Sequence, residues 1–527
     1  LSNAYLTINS LKSLQKKPSL LLKGISRQLF DHIKWRKNLE RKLFVESHRR
    51  IDAETSLDKL DSKISLIQES ASWKKTAPLR FLRRKFIDPI KRGELQETKD
   101  STERKKAKGL GPTKLYRKWI AKHDRFGFRE YNKAKKQLAL LKAKPLFSIL
   151  LPVFDPDENH LRATIHSVIS QIYTNWELCI VNDASKNPYV KALLDSVASG
   201  DERVKISHRK TNGHISQASN DAAELAKGDF LVLLDHDDLL RPHSLLRNAQ
   251  KINEDERLQL IYSDEDKLDE HGARFDHYFK PDWNPDLFIS QNYLCHLTCL
   301  SRKAFMGVGG FRTGVEGSQD WDLLLRVTEQ IKDKEIGHIP EILYHWRATD
   351  KSTAKALKNK TYALSGSLKV VNDALERRNE KALAEISDIE NGYLRIKYST
   401  PAQPPLVSII IPTKDRLNLI ARCIESVLDK TCYSNYEIIV LDHESSDPSV
   451  IEYFKSLISQ DRVRFLKVSG KFNYSKINNF GARQAKGEIL LFLNNDIEVV
   501  EGEWLNEMVT QTIRPEIGCV GAKLLYP

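Results

Sequence analysis

The sequence predicts an α/β fold built on a parallel, doubly wound sheet, and three observations carry that prediction. Between residues 145 and 242, apolar runs of strand length alternate with segments of helical period, joined by short connections. Acidic residues sit where those runs end, the place where open α/β sheets bind ligands. The same succession recurs once, later in the 527-residue chain, at a nearly constant spacing.

Taken in order, residues 25–70 are polar and charged, with Leu39, Leu43, Ile51, Leu57, Ile64 and Ile67 among apolar positions spaced as in helices. Residues 80–108 are mostly basic and lack a strong apolar face; Gly109 to Pro112 is a break, and Thr113 to Lys142 reads as a helical lead-in. From Pro145 the texture changes. Leu146 to Val153 is a buried strand, followed by Leu161, Ile165, Val168, Ile169 and Ile172 at helical spacing. Trp176 to Asn182 is a second strand, ending at Asp183-Ala184-Ser185. Helices near 188–199 and 216–226 flank a strand at Val204 to His208, and Phe230 to Leu234 closes the series.

That last strand runs into Asp235, His236, Asp237 and Asp238 within GDFLVLLDHDDLLRP (228–242). Carboxylates crowded at a strand end repel one another and stay hydrated or find a cation. Hard oxygen ligands on a short loop suit Mg²⁺ or Mn²⁺, which keep several waters and take further ligands from substrate phosphates. The other reading is an acidic turn that caps the helix starting near Pro242, because Asp is a common N-cap.

The repeat has four landmarks. FSILLPVFDP (147–156) is echoed by VSIIIPTKDR (407–416), with Pro412 answering Pro152, 260 residues on. WELCIVNDAS is echoed by YEIIVLDHES (436–445), with Asp442 expected to answer Asp183. SQASNDAAELAKGD (216–229) returns as SKINNFGARQAKGE (475–488), and LVLLDHDDLL as LLFLNNDIEV, where Asp496 answers Asp237 while Asn494 and Asn495 replace Asp235 and His236. A duplicated domain is expected, its second copy containing the first half only. Leu364, Leu368, Val371 and Leu375 mark a connecting helix, and STPAQPP (399–405) a linker.

Composition narrows the function. With 40% hydrophobic and 29% charged residues the chain reads as a soluble globular protein, and its net charge of +14 asks for an anionic counterpart. Nucleic acid would call for aromatic residues or a reading module among the cations, and neither is found, so no nucleic-acid partner is expected. Phosphorylated substrates and an anionic membrane face remain. No run of 18 apolar residues exists, and LSNAYLTINS lacks an initiator Met and a signal-peptide pattern, which reads as a processing boundary. Six cysteines are scattered, and the Cys295/Cys299 pair has no second pair to complete a zinc site; buried free thiols in a reducing cytoplasm are expected.

The ordered motifs SILLPVFDP, ELCIVNDAS, GHISQASNDA, LLDHDDLL, YSDEDK, FKPDW, QNYLCHL, GGFR, GSQDWDLLLR and HIPEILYHWR resemble glycosyltransferase family 2 with its GT-A fold, a Rossmann-like nucleotide-sugar-binding domain. The likeness is greatest to the bacterial tandem-domain transferases that build surface polysaccharides such as O-antigens. It covers residues 145–355 in full and 405–527 in part. It implies inverting transfer of a sugar from a nucleotide diphosphate sugar to a glycan or lipid-linked glycan acceptor, with Mn²⁺ or Mg²⁺. In that pattern Asp237 and Asp235 match the metal and ribose carboxylates. Asp183 matches the base-and-ribose position, and Asp155, Asn220 and Arg347 are further nucleotide-sugar contacts, Arg347 as a fixed cation. His345 is either a third metal ligand or a packed histidine. Trp283 and Asp264 are contacts to sugar or acceptor, set against core packing for the first and a solvated acidic loop, Asp264-Glu265-Asp266, for the second.

Asp320, in GSQDWD, falls on the family's general-base position at a helix start, where the helix N-terminus is expected to keep it ionised. Gln319 stands where many relatives carry Glu, and Asp322 reads as a structural carboxylate. Asp442 and Asp496 are the nucleotide and metal positions of the second copy, which lacks the half that would carry a base. The expected division is a helical basic region (1–144), a complete GT-A domain (145–355), a helical connector and linker (356–404) and half of a second GT-A domain (405–527). The expected location is cytoplasmic, peripheral at the inner face of the membrane; the competing function is a non-catalytic nucleotide-sugar-binding scaffold. If residues 80–108 serve an anionic face, the protein will co-sediment with anionic liposomes, less so at high salt, where exposed charges are screened beyond roughly 8–10 Å. A chain starting near Lys142 is expected to lose that binding, and equal retention would show the basic stretch idle.

Overall fold

The computed structural model describes residues 114–348, 357–388 and 392–525, so the helical reading of 25–70 and the basic stretch 80–108 lie outside the described residues. Two helices, α1 (Lys114–His123) and α2 (Phe128–Ala139), lead into β1 (Phe147–Val153). Then α3 (Glu158–Ile169), β2 (Trp176–Asn182), α4 (Pro188–Gly200), β3 (Val204–His208), α5 (His214–Leu225) and β4 (Phe230–Leu233) alternate as the sequence predicts. The order is β3-β2-β1-β4 and every pairing is parallel. β2 is buried throughout its length and β1 nearly so, which is why both read as continuous apolar runs. Asp157 starts α3 by accepting the N–H groups of Asn159 and His160, and Pro188 opens α4.

Beyond β4 the doubly wound parallel expectation needs correction, because the sheet becomes mixed. The elements are β5 (Leu239–Leu240), α6 (Ser244–Glu254), β6 (Leu260–Leu268), β7 (Arg274–Tyr278), α7 (Pro285–Ser290), β8 (Thr298–Ser301), α8 (Arg302–Gly307), α9 (Gln319–Thr328) and β9 (Ile336–Arg347). β8 lies antiparallel between β4 and β6, whereas β9 runs parallel to β6 and takes β5 as an antiparallel partner. Asp264, Glu265 and Asp266, expected in a solvated loop, are buried inside β6. Each has a partner there: His338 and the Lys280 N–H for Asp264, the Lys280 ammonium for Glu265, and Arg274 with Tyr116 for Asp266. Pairing is what makes buried carboxylates tolerable.

The connector is also corrected. After α10 (Leu357–Arg377) the chain forms an antiparallel hairpin, β10 (Ala382–Asp388) and β11 (Tyr393–Tyr398). The alternation in YLRIKY and the Asn-Gly pair before it were the missed signals. α10 is tied to the first domain by Arg377 on Glu329 (2.8 Å) and Arg312 on Asp373 (2.6 Å).

The repeat then follows as β12 (Val407–Thr413), α11 (Leu417–Lys430), β13 (Tyr436–Asp442), α12 (Pro448–Ser456), β14 (Val463–Lys467), α13 (Tyr474–Gln484), β15 (Ile489–Phe492) and α14 (Trp504–Thr512). Its strands lie in the parallel order β14-β13-β12-β15. Its register corrects one correspondence. Val153 pairs with Asn182 and Thr413 with Asp442, so Asp442 occupies the place of Asn182 and His443 that of Asp183. The hydrogen bonds agree: Asn182 Oδ1 and Asp442 Oδ1 each accept the N–H three residues on, from Ser185 (3.1 Å) and Ser445 (3.0 Å). The ten-residue strings, aligned without a gap, contain the same answer.

Both copies share a buried brace. Glu177 accepts from the Ser148 hydroxyl (2.6 Å) and the Lys227 N–H, while Ser148 accepts from the Gly228 N–H (2.8 Å). Glu437, Ser408, Lys486 and Gly487 repeat the arrangement at 2.7 to 2.8 Å. At Gly228 a Cβ would meet Leu146 O at 2.6 Å and Ser148 N at 2.8 Å, and at Gly487 Leu406 O and Ser408 N at 2.6 and 2.7 Å. The lead-in belongs to the first domain as well, since Asp124 binds Arg241 and Arg274 (both 2.5 Å). A chain starting near Lys142 would take the Asp124 carboxylate from the buried Arg241 and leave Arg274 with Asp266 alone, so the liposome comparison is better cut ahead of Lys114. Gly228→Ala is expected to destabilise the protein by roughly 1–3 kcal/mol through backbone overlap. Gly518→Ala, where nothing lies within 4 Å, should change it by less than about 0.5 kcal/mol. Urea midpoints for the two variants check this; equal midpoints would contradict it.

Candidate active site

The acidic loop leaves the carboxyl end of β4 and returns through β5 to pair with β9. Asp238, the one carboxylate of the loop given no role above, is its anchor. It is fully buried and accepts from the Tyr344 hydroxyl (2.6 Å) and the Arg347 N–H (2.7 Å), while its carbonyl accepts from the Thr164 hydroxyl (2.8 Å). Burial, with Asp235 and Asp237 nearby, pushes its carboxyl well above the usual range. Asp235 and Asp237 are left partly exposed, at 38% and 27% of their side chains.

Asp235 is met by a group without a sequence-assigned role. His296 Nε2 lies 3.3 Å from Asp235 Oδ2, and the imidazole stacks on Tyr344 at 4.6 Å and 13°. Burial lowers the proton affinity of His296, but Asp235, Asp238 and Glu265 outweigh it and hold the imidazole at about 9. Burial likewise opposes charge on Asp235, and His296 and His236 reverse that, so its carboxyl lies below the usual range. Asp237 moves the other way, raised by burial and by Asp235 against His236. The antiparallel register of β8 produces the contact: Val232 pairs with Cys299, so the residues preceding β8 run alongside those following β4. His296 lies in the quoted motif QNYLCHL, but only strand pairing says what it faces.

Asp320 sits in the first turn of α9, and Asn292 donates to its Oδ2 at 2.8 Å. Burial raises its carboxyl, against the lowering by His296 and by the Trp321 N–H at the helix start. A cavity of about 40 Å³ joins the two halves of the sheet, lined by Asp235, His296, Gln319 and Asp320 together with Pro152, Ser219 and apolar neighbours. Asp322 is fully buried against Arg326 (2.7 Å) and Arg312 (2.6 Å), the structural carboxylate expected.

Other expected residues fall differently. Arg347 lies on the acidic loop, its Nε donating to Asp237 O (2.8 Å). Asp183 is buried at the end of β2, one oxygen held by Arg209 (3.0 Å) and the Gly213 N–H (2.8 Å). Asp155 braces the first loop, its carboxylate accepting from the N–H groups of Lys186 (2.8 Å) and Asn187 (3.1 Å); Asp415 does the same in the repeat with Ser446 and Asp447. Asn220 is corrected from a nucleotide-sugar contact to a loop clamp: its amide both donates to and accepts from the Phe311 backbone, at 2.8 Å each way. His345 has its Nδ1 bound to Asp266 beside Arg274, and its strand partner is Leu239, just past the acidic loop, so of its two ring nitrogens the packing engages Nδ1. Asp264 is committed to His338 (2.9 Å). Trp283, hydrogen-bonded to Asp333 (2.8 Å), lines a separate cavity of about 560 Å³ with Asp282 and His338. That cavity is larger but holds neither Asp235 nor Asp320, so size does not make it the reactive site. In the repeat, Asn494 receives the Tyr474 hydroxyl (3.2 Å), and Asp496 is the one carboxylate at the four positions matching Asp235 to Asp238.

A divalent cation fits the Asp235–Asp237 pair by its donors: two neighbouring, partly exposed carboxylates, one of them resisting ionisation through burial and the charge of the other. Among the described residues no three His, Cys, Asp or Glu side chains gather as a ligand set. Among the described residues no helix is long and apolar enough to cross a membrane.

A sequence model of the family described as Glycosyl transferase family 2 matches residues 148–307 and 408–526. The uncharacterized protein y4gI of Sinorhizobium fredii is 38% identical over 90% of this chain and 54% of its own length. The O-antigen biosynthesis protein RfbC of Myxococcus xanthus is 37% identical over 75% of this chain and 30% of its own. The chain thus spans about half or less of the length of these curated relatives. S. aureus TarS in complex with UDP-GlcNAc aligns at 14% identity and a TM-score of 0.34, over 44% of this chain and 72% of that one, too loose a likeness to carry an argument.

Proposed function

The chain belongs to glycosyl transferase family 2, and from that premise we propose that its first domain transfers a sugar, with inversion, from a nucleotide diphosphate sugar to a growing bacterial surface polysaccharide. The observation that carries the reading is the shared cavity: Asp320, from the second half of the sheet, and Asp235, from the first, open into it together. A donor seated over the carboxyl ends of β1, β2 and β4 would place its sugar between those two carboxylates. Asp183 then meets the nucleoside, and Arg347 presents a fixed cation to the diphosphate. Asp320 takes the proton of the acceptor hydroxyl as that oxygen attacks, and attack from the side opposite the leaving diphosphate inverts the anomeric carbon. Its raised proton affinity suits a base working near neutral pH. Mn²⁺ or Mg²⁺, held by Asp237 and Asp235, would neutralise charge on the departing diphosphate.

The acceptor proposed is an O-antigen-like glycan or lipid-linked glycan, in keeping with the description of the relative from Myxococcus xanthus. Work at the inner membrane face follows from such an acceptor. The repeat keeps Asp496 but has His443, Asn494 and Asn495 where the first copy has Asp183, Asp235 and His236, so we assign the proposed transfer to the first copy.

Nucleotide diphosphate is expected to bind more tightly with Mn²⁺ or Mg²⁺, and Asp237→Ala to abolish the difference; equal affinity of the wild type in EDTA and in Mn²⁺ would remove the metal from the proposal. Asp320→Asn should leave donor binding nearly unchanged while turnover falls on the order of 10²–10⁴-fold. The acid limb of wild-type kcat/KM should lie above the ordinary Asp range, because activity appears only as Asp320 loses its proton. An Asn variant that transfers at the wild-type rate would unseat Asp320, and a wild type that binds donor yet never transfers would favour the scaffold.

A further inference from the structure

Asp320 and Asp235 are both met by one loop, the segment 291–297 between α7 and β8. Asn292 donates to Asp320 Oδ2 (2.8 Å) and His296 approaches Asp235 Oδ2 (3.3 Å). The orientation of the Asn292 amide is set from within the loop, since its oxygen faces the Cys295 N–H at 3.4 Å, leaving its NH₂ for the carboxylate.

What holds this loop is a buried lysine. Lys280 has no exposed side-chain surface, and its ammonium donates to Leu294 O (2.7 Å), His296 O (2.5 Å) and Glu265 Oε2 (3.1 Å). Three donors meet three acceptors, so the ammonium is saturated. Glu265 also accepts the His296 N–H (3.1 Å), and Asn284 N donates to the hydroxyl of Tyr293, which is fully buried (2.9 Å). The loop is therefore fixed from β6 and from the segment after β7, independently of the helix that carries Asp320.

We propose that Asn292 is a positioning residue for Asp320, fixing one carboxylate oxygen by an amide hydrogen bond and leaving the other for the acceptor hydroxyl, on a loop locked by the Lys280–Glu265 pair. This rests on the reading of Asp320 as the base. The groups facing Asp320 are Asn292, Cys295 and His296 from the loop, Asp235 from the end of β4, and the N–H groups of Trp321 and of Asp320 itself. Among these Asn292 supplies the neutral side-chain hydrogen bond. A donated hydrogen bond favours the charged carboxylate, so its loss raises the proton affinity of the base.

The test is a double-mutant cycle on the full chain, with nucleotide diphosphate and Mn²⁺ as the binding probe. Asn292→Ser should lower kcat about 10- to 100-fold, the worth of a hydrogen bond to a charged group, with nucleotide affinity unchanged. In the Asp320→Asn background the same substitution should cost almost nothing. The acid limb of kcat/KM should move to higher pH in Asn292→Ser and further in Asn292→Asp, where a second carboxylate opposes ionisation. An equal fold-loss from Asn292→Ser in both backgrounds, or unmoved acid limbs, overturns the positioning role while a slow Asp320→Asn keeps the base. A fast Asp320→Asn removes the base and the proposal with it. Should Asn292→Ser fail to bind nucleotide, the acid limb of Asn292→Asp alone decides the outcome.

Discussion

The antiparallel insertion of β8 between β4 and β6 is the constraint on which the candidate site depends. A purely parallel sheet would leave the acidic loop at the end of β4 facing only the loops of its own half. With β8 reversed, the segment entering it runs back alongside the segment leaving β4, and His296 is delivered to Asp235. α9, reached through α8 from the far end of β8, brings Asp320 to the same cavity. Two halves of one sheet thereby contribute one carboxylate each.

Such a site gathers charge, and the surroundings show how that charge is held. Asp238, Glu265, Asp266 and Asp322 are buried, and each is bonded by a cation, a hydroxyl or a backbone N–H. Removing the cation from Glu265, Asp266 or Asp322 would leave an uncompensated buried charge, costing about 3–5 kcal/mol, whereas an intact buried ion pair contributes little net stability. These pairs are better understood as fixing geometry. The Asp124 bridge to Arg241 and Arg274 extends the same principle to the lead-in helices, binding them to the strand that follows the acidic loop and to β7.

Duplication separates what the fold requires from what a particular site requires. The Glu–Ser–Gly brace and the Asp155/Asp415 loop brace appear in both copies with matching partners, as expected of features that hold a β-α-β layer together. The carboxylates differ, with His443 standing for Asp183 and Asn494 for Asp235. The apolar face also differs. Leu231 and Leu233 are buried in the first copy, whereas Leu490 and Phe492 at their places are 41% and 52% exposed, because in the first copy β8 and the core around α9 cover them.

The sequence by itself determined the seven alternating elements that open the first copy, their duplication, and the residues at strand ends, because a strand buried on both faces must be apolar throughout and the polar residues are left for its ends. Asp235 and Asp237 were legible for that reason, and Asp320, at a helix start, through the motifs that carry the family likeness. What only the tertiary structure decided were the partners. Asp264, Asn220 and His345 have the chemistry of a ligand, and nothing in their own stretches says that His338, Phe311 and Asp266 already engage them. Asn292, His296 and Lys280 lie far along the chain from Asp320, Asp235 and Glu265 or on separate elements, and their roles exist only through strand register. Periodicity records which face of an element is buried; it holds no record of what another element, brought in antiparallel, sets against it.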